Sequence, residues 1–464
     1  MSEITPDPLE NGGIATYAQD LRSGETSATA VTRDFLDRIE RLNPKLDAYQ
    51  YVADEQAMAQ AEAIDKHLAA GTDLGPLMGV PVAIKDIVAV DGMPTTNGSH
   101  YAPSIEVTGP EGTYVHRLKQ AGCIILGKTK TVEFALGATG VNEARGTPWN
   151  PWDSHAHRTP GGSSSGSAVA TASGLAAFGL GSDTGGSVRI PAAFNGLFGH
   201  KTSIGLLPTD GVFPLCPTLD TLGPLCRSAA DAAIVHGVTA RTDIASKAPL
   251  KGLRVGRPTN YFFDDLDQEV EQCVEAAIDL LVDEGVEIID VEVPDPSERE
   301  WVFPAICPPE FIACLGGPEA FEAARAKMDP TTAARAALGL DVTAVEHVRA
   351  QLRYRQLQTI VAEAFEGFDA WVTPTAPFVP LDIATFDDPE VFQRAMQASR
   401  NTQPGNIWGI CGITMPVHQF GSALPVGLQV MCPAGADTKA LSIGLAFEEV
   451  FGEPSYPELN RFLL

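Results

Sequence analysis

Three polar segments of the sequence carry side chains that could act as nucleophile, proton relay and base. The first is GSDTGGS at residues 181–187, which follows the apolar run Ala176–Leu180. Gly185 and Gly186 permit a tight turn whose backbone N–H groups point inward. A serine at its end, Ser187, would lie beside oxyanion donors, and losing one such donor slows an enzyme by about 10²–10³-fold. Taken alone, the segment equally fits an ordinary glycine-rich turn with a capping serine.

The second segment is a run of serines between glycines, GGSSSG at residues 161–166. A phosphate-binding loop would need a lysine after the last glycine, and Ser167 stands there instead. The run also satisfies the nucleophile-elbow pattern G-x-S-x-G, with Ser164 as nucleophile and His418 as a candidate histidine. That motif requires a strongly apolar strand before it, whereas residues 155–160 are HAHRTP. The elbow is therefore the weaker interpretation.

Lys85 is the third piece, because it ends a short apolar run, GVPVAI at residues 79–84, that is typical of a buried strand. A snorkelling side chain or an ion pair with Asp86 would account for it. In a dry, serine-lined pocket, however, burial would favour the neutral amine, which requires a fall of about 3 pKa units from about 10.4. A neutral lysine is a competent general base.

The elements that must position these side chains alternate between helices and strands, which indicates an α/β fold. Strands at both ends of the chain, with no obvious linker between them, predict one large domain. Apolar periodicity and turn residues predict strands near residues 79–84, 123–126, 176–180, 253–256, 286–293, 370–373 and 426–431. Helices are predicted near residues 27–42, 54–70, 114–120, 167–175, 191–197, 268–284, 318–366 and 438–450.

Composition limits the possible partners. The chain has 464 residues, 44% of them hydrophobic, and a formal net charge of −27, which repels nucleic acid and anionic lipid. The N-terminus has no apolar segment typical of a signal peptide, and no stretch of about 18 uninterrupted apolar residues predicts a membrane span. Eight scattered cysteines without a CxxC pair favour reduced thiols. We therefore expect a cytoplasmic protein without nucleic-acid or membrane partners.

The run from Gly161 to Lys201, GGSSSGSAVATASGLAAFGLGSDTGGSVRIPAAFNGLFGHK, resembles the signature of the amidase signature family. Further stretches resemble its other landmarks in order: GVPVAIKDI, EFALGATGVNEARGTPWNPWD, DAWVTPTAP and LPVGLQVMCP. The resemblance covers residues from about 14 to 452. The sequence departs from the family at Ser165, Asn195 and residues 199–203, where many members have Gly, Cys and GLKPT. These departures leave the positions that match the family's catalytic residues intact.

The resemblance implies a single α/β domain over residues 1–464, with a mixed, mainly parallel central β-sheet surrounded by helices. An N-terminal helical segment would span about residues 14–70. The catalytic signature core would span about 76–230, and a variable helical insert about 297–366.

The resemblance also implies roles for individual residues. Lys85 matches the catalytic lysine, Ser163 the serine that carries a cis peptide bond, and Ser187 the nucleophile. The oxyanion hole corresponds to the backbone N–H groups of Thr184, Gly185, Gly186 and Ser187, and the residues that brace this loop correspond to Asp183 and Arg189. No cofactor is implied. His155 and His157 lack a third ligand group, so no metal site is predicted.

The leading hypothesis is an amidase that acts on small-molecule amides, anilides or carbamates, as a monomer or homodimer. Its pocket is expected to include residues 138–140, 214–222 and 300–345, with contacts or core packing from Trp301, Phe303, Ile306, Phe311 and Ile312. The alternative is the glutamine-hydrolysing subunit of a tRNA-dependent transamidation complex. A zwitterionic substrate would favour a more polar wall than residues 137–140 offer, and no basic patch for tRNA is evident. A scaffold without catalysis is disfavoured because all three catalytic positions are occupied.

Overall fold

An eleven-stranded sheet runs through the centre of the protein, and the computed structural model describes residues 4–463. Along the chain the strands are β1 Tyr49–Val52, β2 Pro81–Lys85, β3 Ile124–Thr129, β4 Phe178–Asp183, β5 Phe198–Lys201, β6 Thr221–Cys226, β7 Arg254–Pro258, β8 Glu287–Val291, β9 Ala370–Pro374, β10 Cys411–Pro416 and β11 Gly427–Cys432. Their order across the sheet is β1-β3-β2-β4-β6-β5-β10-β11-β9-β7-β8. All strands thus belong to one domain.

Helices pack against this sheet. They are α1 Gly13–Ser23, α2 Ala28–Leu46, α3 Asp54–Ala69, α4 Ser104–Thr108, α5 Thr113–Gln120, α6 Ser165–Ala172, α7 Arg189–Asn195, α8 Ala229–Ala240, α9 Gln268–Asp283, α10 Arg299–Cys314, α11 Pro318–Arg325, α12 Pro330–Ala337, α13 Ala344–Ala364, α14 Pro389–Ala395, α15 Gln403–Ile407 and α16 Asp437–Phe451. Contacts join α3 to β3, α6 to β4, α8 to β6 and α16 to β10. The α/β architecture with a mixed sheet is confirmed.

The expectation that this sheet is mainly parallel is wrong. Of the ten neighbouring strand pairs in the described residues, six are antiparallel and four are parallel. Parallel pairing needs a crossover, and the chain provides one through α4 and α5 between β2 and β3, and through α9 between β7 and β8. The connections from β5 to β6 and from β10 to β11 contain no α-helix, so those strands turn back antiparallel.

Four strands were not predicted from the sequence: β1, β5, β6 and β10. Every residue of β5, β6 and β10 is buried, so these strands lack the alternation of apolar and polar residues that reveals a half-exposed strand. Glycine and proline within FGHK and TLGPLC weaken the strand signal further. The short strand β1 lies between α2 and α3 in the segment that was expected to be helical.

Glycine lets α6 approach β4 closely. A Cβ atom on Gly179 would lie 2.8 Å from the carbonyl oxygen of Ser167, and one on Gly181 would lie 2.7 Å from the Oγ atom of Ser164. Both distances are shorter than a carbon atom tolerates. Because β4 leads directly into the loop that holds Ser187, this close packing fixes the serine-rich segment against that loop.

We expect Gly179→Ala to lower the free energy of unfolding by about 1–3 kcal/mol, because the new methyl group meets a backbone oxygen that cannot move aside. The measurement is urea unfolding followed by circular dichroism. Gly412→Ala in β10 is the matched control, since its nearest neighbour would be 3.2 Å away and the next 3.7 Å. Equal stability losses in the two variants would contradict this account of the packing.

Candidate active site

The Lys85 side chain lies at the end of β2, between β3 and β4, and is completely buried. Its Nζ atom donates to the Oγ atom of Ser163 at 2.7 Å and to the Oγ atom of Ser182 at 2.8 Å. No carboxylate lies within 4.0 Å of this amine in the described part of the chain. Burial lowers the pKa of Lys85 to about 7, against the opposing influence of Asp183 and Asp220.

The carboxylate of Asp86, the residue that follows Lys85, binds other partners. Lys128 donates from Nζ to the Oδ1 atom of Asp86 at 3.0 Å, and the backbone N–H of Thr96 donates to Oδ2 at 3.1 Å. Side chains of successive residues in extended chain point to opposite sides, which separates Asp86 from Lys85. The interpretation of Lys85 as the ion-pair partner of Asp86 is therefore wrong.

Ser163 lies in a tightly held turn. The peptide bond between Gly162 and Ser163 is cis, in agreement with the family resemblance. The Ser163 carbonyl oxygen accepts from the N–H of Val132 at 3.1 Å and from the Thr131 hydroxyl at 3.0 Å. These bonds leave the Ser163 hydroxyl facing Lys85, where its position is determined by the fold rather than by a flexible rotamer.

Ser187 lies after β4, just before α7, and is 8% exposed on the wall of a cavity. Its carbonyl oxygen accepts from the N–H of Ser164 at 3.3 Å, which joins the two serine segments. Within residues 4–463 no hydrogen bond links the side chains of Ser163 and Ser187. The Oγ atom of Ser164 is buried between the N–H and the carbonyl oxygen of Ser182, at 3.3 Å from each. Ser164 is thus unsuited to be the nucleophile of an elbow.

An ion pair braces the loop that carries Ser187. Arg189 donates from Nε to Oδ2 of Asp183 at 3.0 Å and from Nη2 to Oδ1 at 2.9 Å, and both side chains are buried. Burial alone would raise the pKa of Asp183, but the Arg189 guanidinium holds that pKa well below its usual range. Asp183 also accepts the N–H groups of Gly186 and Val188. The Asp183 carboxylate therefore holds the loop together through Arg189 and through two backbone N–H groups.

This bracing corrects one predicted oxyanion donor. The N–H of Gly186 donates to Asp183 at 2.8 Å and is not free. The N–H groups of Thr184, Gly185 and Ser187 have no acceptor among the residues that the structure describes, and all three residues border the cavity. The Thr184 hydroxyl donates to Oδ1 of Asp220 at 2.5 Å.

The cavity beside Ser187 measures about 190 Å³, below the range of about 300–1,000 Å³ that is common for ligand sites. Of the predicted wall residues, Phe303 lines it, whereas Trp301 is 43% exposed and lies outside it. Ile306, Phe311 and Ile312 are buried in the hydrophobic core. The lining residues are Ala135, Leu136, Gly137, Ala138, Thr184, Gly185, Ser187, Ile190, Leu215, Arg299, Phe303, Pro304, Pro308, Arg335, Leu338, Met396, Ser399 and Gln403.

The site also contains Ser182, Asp220, Arg299 and Arg335. No individual role was predicted for these four residues, although Asp220 and Arg335 lie in the stretches 214–222 and 300–345 that were expected to line the pocket. Ser182 lies inside the glycine-rich motif and could have been found from its neighbours. Burial raises the pKa of Asp220 to about 6, and nothing in its local sequence signals that burial. The two arginines reach the cavity from α10 and α12, whose distance along the chain gives no indication of contact.

Other features bear on cofactors and membranes. Among residues 4–463, no group of three or more His, Cys, Asp or Glu side chains is arranged to hold a metal ion. His157 stacks on Trp149, with ring centroids 4.4 Å apart. No helix in the described range combines the length and the apolar character that a bilayer crossing requires.

The fold and site agree with comparisons to known proteins. The family model for amidases matches residues 30–441. The chain therefore belongs to the amidase signature family, and it is a hydrolase that acts on C–N bonds.

Individual relatives span different activities. A 2-amino-5-chloromuconic acid deaminase of Comamonas testosteroni is 38% identical over 95% of this chain and 96% of its own. A glutamyl-tRNA(Gln) amidotransferase subunit of Chromohalobacter salexigens is 34% identical over 94% of this chain and 96% of its own. The crystal structure of the peptide amidase of Stenotrophomonas maltophilia matches with a TM-score of 0.81 at 26% identity, covering 98% of this chain and 100% of that one.

We expect Arg189→Met to destabilise the protein by about 3–5 kcal/mol, because it leaves the buried Asp183 carboxylate without its cation. Urea unfolding measures the loss. Arg325→Met is the control, since Arg325 pairs with Glu322 on the surface and such a pair contributes only about 0–1 kcal/mol. A loss at Arg189 no larger than that at Arg325 would show that the loop does not depend on this pair.

Proposed function

We propose that the protein hydrolyses small-molecule amides, with carbamates as a related substrate class, through an acyl-enzyme on Ser187. The observation that supports this most directly is the 2.7 Å contact between the Lys85 amine and the Ser163 hydroxyl in a fully buried site. With its pKa lowered to about 7, the Lys85 amine is substantially neutral at physiological pH. A neutral amine has a lone pair with which to accept a proton.

In the first step, the Ser187 Oγ atom attacks the carbonyl carbon of the substrate. Its proton passes to the Ser163 oxygen as the Ser163 proton passes to the Nζ atom of Lys85. The carbonyl oxygen becomes an oxyanion, for which the N–H groups of Thr184, Gly185 and Ser187 are the free donors. Lys85 begins this step as a neutral amine, which is the form that its burial favours.

In the second step the proton returns through Ser163 to the substrate nitrogen. The C–N bond breaks, the amine departs, and the acyl group stays on the Ser187 Oγ atom as an ester. Water then attacks the ester carbonyl, gives up its proton along the same route and releases the acid. A carbamate presents the same carbonyl bonded to nitrogen, so the same sequence of proton transfers applies to it.

A second candidate function is glutamine hydrolysis within an amidotransferase, which the 34% identity to a glutamyl-tRNA(Gln) amidotransferase subunit favours. Glutamine carries an ammonium group that would require a carboxylate on the wall of the cavity. The described lining residues include no aspartate or glutamate. A glutaminase assay of the isolated chain separates the two candidates, and we expect glutamine to be a poor substrate.

We expect Ser187→Ala to abolish release of amine from a panel of anilides, aliphatic amides, ureas and carbamates, and to abolish labelling by a fluorophosphonate probe in mass spectrometry. Ser165→Ala is the control, because its buried Oγ atom has no hydrogen-bond partner and its loss should leave turnover intact. Turnover by Ser187→Ala protein that matches the wild type would exclude the proposed nucleophile.

The pH dependence tests the proposed base. Because the pKa of Lys85 is lowered to about 7, the neutral amine is scarce below that pH and dominant above it. We expect kcat/KM for a non-titrating amide to rise with pH through about 7 and then level off. Lys85→Ala should lower kcat/KM by about 10²–10⁴-fold, the usual share of general base catalysis, and should remove this step. A wild-type profile that is flat from acid to alkaline pH would refute Lys85 as the base.

A further inference from the structure

Arg335 presents a partly buried positive charge to the cavity that contains Ser187. Its Nη1 atom donates to the Leu136 carbonyl oxygen over a long 3.4 Å, and its Nη2 atom lies 2.7 Å from the Sδ atom of Met396. A thioether is a weak acceptor, and a guanidinium has five N–H donors. Arg335 forms no ion pair with any residue of the described range. Most of its hydrogen-bonding capacity is thus unused.

The nearest acid does not neutralise Arg335. Asp329 raises the pKa of Arg335 slightly, against the larger lowering that burial causes. The Asp329 carboxylate, however, accepts from the N–H groups of Thr331 and Thr332 at the start of α12, and from the N–H of Glu143. It is therefore held in place by backbone donors. A cation that is partly removed from water and has no ion-pair partner is poorly solvated, so binding of an anion beside Arg335 would be favourable.

Arg299 places a second positive charge on the same wall. Its three nitrogen atoms donate to the Tyr261 hydroxyl and to the side-chain oxygens of Gln403 and Gln397. These acceptors are neutral, and the nearest carboxylate, that of Glu300, is 3.8 Å away and largely exposed. The charge of Arg299 therefore remains available to act on a ligand, while its position is fixed by three hydrogen bonds.

The cavity is positive in a strongly negative protein. The chain has a net charge of −27, yet the described cavity lining contains two arginines and no aspartate or glutamate. Low-dielectric walls focus the field of such charges and attract ligands of the opposite sign. The chemistry of the wall thus selects a ligand that is anionic, small and partly apolar.

We propose that the substrate is an amide that carries a carboxylate, and that Arg335 binds this carboxylate with electrostatic support from Arg299. This inference rests on the proposed function, because it assigns the substrate class of the same site. A guanidinium matches a carboxylate through two parallel N–H donors. The limited cavity volume and the absence of an acid for an ammonium group favour half-amides of short dicarboxylic acids over amino acids such as glutamine.

The kinetic test uses matched substrates. The half-amides of succinic, glutaric and adipic acid are each compared with the neutral amide in which an isopropyl group replaces the carboxylate. Released ammonia gives kcat/KM. We expect kcat/KM of the wild-type protein to be higher for at least one half-amide than for its neutral analogue, by about 10- to 100-fold. This factor corresponds to the free energy that a hydrogen bond to a charged group contributes. We also expect glutamine, which adds an ammonium group to the glutaric half-amide, to be poorer than that half-amide.

Variants of Arg335 test whether this side chain causes the preference for half-amides. Arg335→Gln should lower kcat/KM for the half-amide by more than it lowers kcat/KM for the neutral amide, which removes the preference, and Arg335→Lys should restore part of the preference because lysine keeps the charge. Arg325→Gln is the matched control in the neighbouring helix α11 and should behave as wild type. A preference that survives in Arg335→Gln, or an equal loss for the neutral amide, would overturn the role of Arg335.

A binding measurement distinguishes failure of this inference from failure of the proposed function. Calorimetry follows the binding of succinate, glutarate and adipate to Ser187→Ala protein, with and without Arg335→Gln. Binding that requires Arg335 supports the carboxylate site even if no amide is hydrolysed, in which case the proposed function fails alone. Ser187-dependent amide hydrolysis without any carboxylate preference, together with no Arg335-dependent binding, would overturn the carboxylate site and leave the amidase function standing.

Discussion

The Lys85 amine is buried beside two serine hydroxyls and has no carboxylate to pair with. The two aspartates whose charges act on it already have other partners: Asp183 pairs with Arg189, and Asp220 accepts from the Thr184 hydroxyl. Because these acids are occupied, burial rather than ion pairing determines the pKa of Lys85. The role proposed for Lys85 thus depends on side chains that hold these carboxylates away from its amine.

The partners of a buried carboxylate, Asp183, also determine the shape of the loop that holds Ser187. Asp183 draws the N–H groups of Gly186 and Val188 toward itself, and this curvature leaves the N–H groups of Gly185 and Ser187 pointing elsewhere. Thr402 supports the opposite side, where its hydroxyl donates to the Gly185 carbonyl oxygen at 2.8 Å. A mobile loop would turn its free N–H groups toward acceptors of its own. The hydrogen bonds of Asp183 and Thr402 hold this loop still, so the N–H groups of Gly185 and Ser187 remain free to bind a ligand oxygen.

The side chains proposed to be catalytic could be predicted from the sequence because they lie in short segments whose glycines, serines and flanking apolar runs constrain them locally. The contact between Lys85 and Ser182 follows from β2 and β4 lying side by side. The mixed strand directions were not accessible, since β5, β6 and β10 are buried on both faces and lack periodicity. Residues 300–345 were expected to line the pocket, but the particular place of Arg335 was not accessible, because it depends on how α12 packs against the segment at Leu136.

The two kinds of chemistry in this site come from separate stretches of the chain. The side chains proposed to move protons lie between residues 85 and 189, whereas Arg299, Phe303 and Arg335 reach the cavity from α10 and α12. Helices that cover a cavity from outside the sheet tolerate replacement more readily than the strands beneath them. Changes in those helices would alter which acyl groups the hydrolase accepts and would leave the reaction itself unchanged. The similar proteins indeed include both a deaminase and a peptide amidase.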